Sequence, residues 1–279
     1  MIGKVYFIGA GPGDPELLTL KGRRLLGEAN LVIYADSLVH PDVCAFARPD
    51  AEIVGSSGLT LEETWDRVHA ACLAGRTVAR LHSGDPSLYG ALHEQLVRLD
   101  AAHIPWEIVP GVSSAFAAAA VLGVELTVPD LAQTVIFTRR PSRTTRPPNE
   151  DLRALARHGA TLVLFLSAAS MTAVVADLRE GGYTPETPVA VVYRATWEDQ
   201  IVVRGTLANI AARVRAARFT RQALIFVGAA LDPELRQKAG DRRSHLYSGE
   251  FSHLFRQATP PPRARRRPSR SSADADGAS

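Results

Sequence analysis

The sequence predicts an α/β protein with two α/β domains. The first is built on a mostly parallel sheet and the second on a mixed one. Three observations carry this reading. Short apolar runs alternate with helical patterns along the first 122 or so residues, the βαβ rhythm of a parallel sheet covered by helices. Several of these runs end in glycine-rich turns that open helices. In the second half, Val189–Tyr193 and Gln200–Arg204 are separated by a short polar loop, which reads as a hairpin and requires antiparallel pairing.

In the first half the strand candidates are Lys4–Ile8, Leu31–Ala35, Glu52–Val54, Thr77–Leu81 and Trp106–Val109. Helical patterns fall at Pro15–Glu28, Leu61–Leu73, Leu88–Asp100 and Ser113–Val121. Asp14 caps the first of these, with Pro15 at the opening helical position, where its missing N–H is not needed. A connector at 123–132 contains Pro129-Asp130. The second half offers strands at Gln133–Thr138, Thr161–Leu166, Val189–Tyr193, Gln200–Arg204 and Ala223–Val227. Its helical patterns are Asn149–Arg157, Ser170–Glu180, Leu207–Ala217 and Pro233–Lys238. The expected organisation is therefore a first domain at 1–122, a linker at 123–132 and a second domain at 133–240. A C-terminal arm at 241–258 and a disordered tail at 259–279 follow.

Charge argues against a nucleic-acid partner. The net charge is +3, and residues 257–279 hold five arginines against two aspartates, which is also +3. The body is neutral by this count and carries no overall electrostatic footprint for RNA or DNA. No apolar stretch approaches the length of a membrane span. The start of the chain lacks a signal-peptide pattern, so a cytoplasmic protein is expected. Cys44 and Cys72 are the only cysteines, too few for a disulfide framework or a cysteine metal cluster.

The turn Gly9-Ala10-Gly11-Pro12-Gly13-Asp14-Pro15 follows the apolar run Val5–Ile8. A dinucleotide fingerprint places three glycines so that free N–H groups hold a pyrophosphate. Here Asp14 stands at the third position, and Pro12 and Pro15 remove donors. The turn suits an adenosine-type ligand without phosphate. A second turn, His82–Gly90, again carries Gly-Asp-Pro after a strand, and Val109–Ser114 is a third. Turns after parallel strands share the carboxyl edge of the sheet, where ligands of open α/β sheets bind. Asp85 can accept hydrogen bonds from ribose hydroxyls or an ammonium and favours a nearby sulfonium. Alternatively it caps a turn, as Ser113 and Ser114 can cap their helix.

The ordered set GAGPGDPELLT, HSGDPSLYG, VPGVSS, TLVLFLS, VVYRATWEDQ and QALIFVG resembles the tetrapyrrole methylases over about 5–231. These are S-adenosylmethionine-dependent enzymes that methylate ring carbons of uroporphyrinogen and corrin precursors. YADSLVHP, LTVPDLAQTVIFTR and YRATWEDQ are most similar to the branch acting at carbon 11 of precorrin-4 or its cobalt form in cobalamin synthesis. The resemblance implies a cofactor cleft between the two domains, a homodimer and no metal. It implies cofactor contacts from Pro12, Ser83, Gly84, Asp85, Ser113, Ser114, Leu166, Tyr193, Ala195 and Ala223. Leu166 stands where some relatives have methionine.

The implied substrate is a polycarboxylate macrocycle, so arginines at the cleft mouth are expected to pair with it. Arg139, Arg140, Arg143 and Arg146 are the candidates, with Lys21 a further possibility. Methyl transfer needs proximity, orientation and dryness more than a nucleophile. No catalytic residue is assigned, and His82 is the one base that offers itself. Other methylases of the fold, acting on uroporphyrinogen, on other precorrins or on RNA, remain alternatives. So does an NAD-binding protein with Asp36 as its ribose-binding acid.

Overall fold

A computed structural model describes residues 1–140, 147–234, 251–252 and 254–257. Met1–Leu235 forms one compact unit. Its first sheet contains β1 (Val5–Gly9), β2 (Leu31–Tyr34), β3 (Glu52–Gly55), β4 (Val78–His82) and β5 (Trp106–Val109), in the order β3-β2-β4-β1-β5. Every pairing in it is parallel. The period-two alternation of strands sorts its two cores. Val5, Phe7, Leu31, Ile33 and Val78 face one layer with Val68 and Leu99, while Ile8, Val32 and Leu81 face the other with Leu25 and Leu26. The layers are supplied by helices α1 (Leu20–Glu28), α2 (Leu61–Leu73) and α3 (His93–Ala101).

The second sheet contains β6 (Val135–Arg139), β7 (Thr161–Phe165), β8 (Pro188–Tyr193), β9 (Ile201–Thr206) and β10 (Ala223–Val227), in the order β6-β7-β10-β8-β9. Only β6 and β7 run parallel; β10 is antiparallel to both its neighbours, and β8–β9 is the expected antiparallel hairpin. One face packs on α5 (Leu152–Ala156), α6 (Met171–Glu180) and α7 (Ile210–Ala217). The other face packs on α4 (Ser114–Leu122), whose Ala115, Ala118 and Ala119 lie against Val163, Ala190 and Phe226. Thus α4 follows the first sheet in the chain but buries its face on the second. Alanines let the helix approach closely, and fully buried side chains such as Phe226 contribute roughly 2–3 kcal/mol each.

Two expected helices begin five residues later than their patterns suggest. The Pro15–Glu28 pattern is a 3₁₀ turn at Pro15–Leu17, then an extended Leu18–Thr19, then α1. Asp14 caps the 3₁₀ turn through the Glu16 N–H, and Thr19 caps α1 through the Gly22 N–H. The chain thus carries two start signals five residues apart, Asp14 and Thr19, of which only the second opens an α-helix. The Leu88–Asp100 pattern becomes α3 from His93, because Tyr89 and Ala91 take positive φ (57° and 47°) and cannot belong to an α-helix. The Ser113–Val121 pattern is displaced by one residue: Ser113 caps α4, and Gly123 closes it in the left-handed conformation. The Asn149–Arg157 and Leu207–Ala217 patterns shrink to α5 and α7. The Pro233–Lys238 pattern, the C-terminal arm and the tail lie wholly or mostly outside the described residues.

Candidate active site

Strands β4, β1 and β5 are neighbours and parallel, so the turns after them emerge at one edge. There they are cross-tied. Gly11 and Gly84 form an isolated bridge, with the Gly84 N–H donating to the Gly11 carbonyl at 2.8 Å and the Gly11 N–H to the Gly84 carbonyl at 3.3 Å. The Asp85 carboxylate accepts from the Ser87 N–H (2.8 Å) and the Gly111 N–H (2.9 Å), joining the second turn to the third. Close approach demands glycine. A Cβ on Gly111 would sit 2.2 Å from the Gly84 oxygen, and one on Gly9 would sit 2.6 Å from Gly111 Cα.

In the second sheet β10 runs against β7 and β8. The carboxyl ends of β7 and β8 and the amino end of β10 therefore form a single edge, with Ala223 paired to Tyr193. This edge brings Leu166, Tyr193, Ala195 and Ala223 together, four residues far apart in sequence. Backbone strain concentrates here: Leu166, Arg194, Thr196 and Gln222 have φ of 51°, 45°, 71° and 52°. Leu166 combines this conformation with 66% exposure, whereas Ala195 and Ala223 are buried. Leu166 is thus an apolar side chain held outward at a conformational cost.

The two edges meet. The Pro12 carbonyl accepts from Trp197 Nε1 (2.9 Å), and the Asp14 N–H donates to Thr196 Oγ1 (3.0 Å). A Cβ on Gly13 would lie 2.2 Å from the Trp197 ring. Trp197 in turn sits under the Arg194 guanidinium at 3.8 Å and beside His40 at 4.6 Å. Further along, Tyr89 of the second turn contacts Phe165 at the end of β7, with ring centroids 5.2 Å apart. Phe165 continues into Phe137 and the half-exposed Phe116. Trp197 and Thr196 lie within YRATWEDQ, a motif the sequence singles out, yet nothing in the sequence reveals that they clasp the first turn.

The site residues foreseen from the sequence divide accordingly. Pro12, Ser83, Gly84, Asp85, Ser113 and Ser114 lie on the three cross-tied turns of the first sheet, and Leu166, Tyr193, Ala195 and Ala223 lie on the facing edge. Both Asp85 oxygens are already engaged with backbone, and Ser113 Oγ accepts from the Ala115 N–H. Each can still accept another hydrogen bond. Of the four arginines, Arg143 and Arg146 lie outside the described residues. Arg140 pairs with the buried Asp177 at 2.6 Å, a carboxylate shared with Arg153. Arg139 lies over the Tyr89 ring at 5.6 Å. Lys21 is bound to Glu107 beside Lys4, and these two lysines hold the Glu107 carboxyl down at about 2.

His82 is buried, and burial followed by the neighbouring Arg80 charge pushes its imidazole down to about 3. It is neutral at physiological pH and too weak a base to withdraw a proton. Among the described residues no group of three or more His, Cys, Asp or Glu is arranged to hold a metal ion. No described helix is long and apolar enough to cross a membrane.

The facing edges suit S-adenosylmethionine on this structure's own terms. They combine an exposed apolar Leu166, the small buried residues Ala195 and Ala223, and a first turn in which Pro12 has no N–H to offer a phosphate.

Residues 4–211 match the family model of Tetrapyrrole (Corrin/Porphyrin) Methylases. The chain is 54% identical over 245 residues to the precorrin-4 C(11)-methyltransferase of Mycobacterium tuberculosis, covering 88% of this chain and 96% of that one. It superposes on the X-ray structure of a cobalamin biosynthetic enzyme, cobalt precorrin-4 methyltransferase, with a TM-score of 0.80 and 47% identity, over 82% of this chain and 96% of that one. A uroporphyrin-III C-methyltransferase from Thermus thermophilus, solved with S-adenosylhomocysteine, gives a TM-score of 0.69 at 33% identity, over 82% of this chain and 94% of that one.

Proposed function

Because the chain belongs to the tetrapyrrole (corrin/porphyrin) methylases, we propose that it methylates carbon 11 of precorrin-4 or cobalt-precorrin-4 in cobalamin synthesis. The observation that carries this reading is 54% identity, over nearly the whole of both chains, to an enzyme of that activity. The uroporphyrin-type relative stands at 33%.

Bound in the cleft, S-adenosylmethionine supplies an electrophilic methyl on a positively charged sulfur. The contacts fall to Pro12, Ser83, Gly84, Asp85, Ser113 and Ser114 on one side and to Leu166, Tyr193, Ala195 and Ala223 on the other. Ala195 and Ala223 leave a slot for adenine, and Leu166 closes against it. The Asp85 carboxylate adds negative charge near the sulfonium. The residues contribute alignment and exclusion of water, since an in-line displacement from a good leaving group gains most from a fixed attack geometry. Arg139, which lies over the Tyr89 ring, meets a substrate carboxylate in this reading. A cytoplasmic homodimer completes the reading, in keeping with the family.

Incubation with precorrin-4, or its cobalt complex, and methyl-labelled S-adenosylmethionine tests the proposal. NMR is expected to locate the new methyl on carbon 11. No incorporation, or a methyl on another carbon, overturns it.

A further inference from the structure

A cavity of about 280 Å³ opens at the carboxyl ends of β3, β2 and β4, adjoining the methyl-transfer cleft. Arg80 and His82 line it from β4, with Leu38, Leu88, Gln95 and the exposed Glu94 among the other lining residues. The volume far exceeds the roughly 30 Å³ taken up by one water. The Ser83–Gly90 turn forms its wall on the cleft side, so a ligand in the cleft has the cavity within reach of a side arm.

Arg80 Nε and His82 Nε2 are shielded from solvent and lack hydrogen-bond partners among the described residues. Arg80 makes only long bonds from its Nη1 to the carbonyls of Ile33 (3.3 Å) and Leu81 (3.5 Å), and no carboxylate pairs with it among the described residues. Burial lowers its pKa to about 10, which leaves it charged at neutral pH. His82 is 6% exposed. A largely buried guanidinium without a carboxylate partner costs stability, and an anionic ligand in the cavity offsets that cost.

We propose that the Arg80 guanidinium, in the wall of this cavity, makes it a carboxylate-binding pocket that takes one peripheral side arm of the substrate macrocycle. Arg80 supplies the positive charge that draws the carboxylate in. The inference rests on the substrate reading above, because it requires a polycarboxylate ligand. It makes β4 a determinant of which macrocycle, and which orientation of it, the cleft accepts.

Steady-state kinetics with precorrin-4 test it on wild type, Arg80→Met and Arg80→Lys. Loss of a charge-assisted bond predicts that Arg80→Met raises KM about ten- to a hundred-fold, with kcat and the Kd for S-adenosylhomocysteine unchanged. Arg80→Lys recovers part of the loss. Wild-type KM in a folded Arg80→Met overturns the pocket alone, whereas absence of turnover by wild type overturns the substrate reading. Should Arg80→Met fail to fold, ¹⁵N-arginine-labelled wild type gives the answer. Its Arg80 Nε–H resonance is expected to move when precorrin-4 binds in the presence of S-adenosylhomocysteine, and a resonance that stays in place overturns the proposal.

Discussion

Asp85 Oδ2 accepts the Gly111 amide at 2.9 Å, so a carboxylate at the end of β4 holds the turn after β5. The strand between them, β1, carries the Gly11 turn, which Gly84 bridges. Three turns thus form one latched rim. Asp85→Ala leaves two backbone amides without acceptors and is expected to lower stability by about 2 kcal/mol. Calorimetry is expected to show weakened S-adenosylhomocysteine binding in the same variant. Wild-type stability on urea denaturation would contradict the latch.

Leu166 offers a separation of stability from binding. Asparagine tolerates positive φ better than leucine does, so Leu166→Asn should leave stability unchanged or raise it by up to about 1 kcal/mol. Removing an apolar contact should weaken S-adenosylhomocysteine about ten-fold. A destabilised protein with intact binding would make Leu166 a packing residue instead.

His82 gives the protein an acid-sensitive core. Its folded pKa of about 3 lies below the ordinary 6.5, so the unfolded chain binds the extra proton between those values. Stability is therefore full above about pH 6.5 and falls as the pH drops toward 3, with a slope of up to about 1.4 kcal/mol per pH unit. Urea denaturation from pH 7 to pH 4 should show this slope in wild type and a shallower one in His82→Gln. Equal slopes would remove His82 as the cause.

Arg139 and Arg140 are adjacent in sequence and differ in expected effect. Arg140→Ala leaves the buried Asp177 with Arg153 alone and should cost about 1–2 kcal/mol of stability, with KM for the macrocycle near wild type. Arg139→Ala should raise that KM several-fold at unchanged stability. A reversed pattern would assign the substrate contact to Arg140.

The strands were largely legible because buried β-segments are short apolar runs bounded by turns. The parallel rim was legible too, since two Gly-Asp-Pro turns after strands of one sheet must share its edge. Side-chain pairing was not. Arg140 looks like its neighbours in an arginine-rich stretch until Asp177 appears beside it, 37 positions away. Leu166 ends an apolar run, and nothing in its identity announces a left-handed backbone. Arg80 alternates with apolar neighbours as an exposed strand residue would, although its environment is largely buried. Leu18–Thr19 shows the local limit: when two capping residues compete, pattern alone does not say that the chain uses both.

The alanine helix α4 also bears on how such a protein can be taken apart. Its buried face belongs to the second sheet although its sequence continues from the first. A fragment cut after Leu122 would carry that face bare into water, while the remainder would lack the lid of its own core. Exchange of halves between relatives must therefore splice ahead of Ser113 rather than at the visible connector.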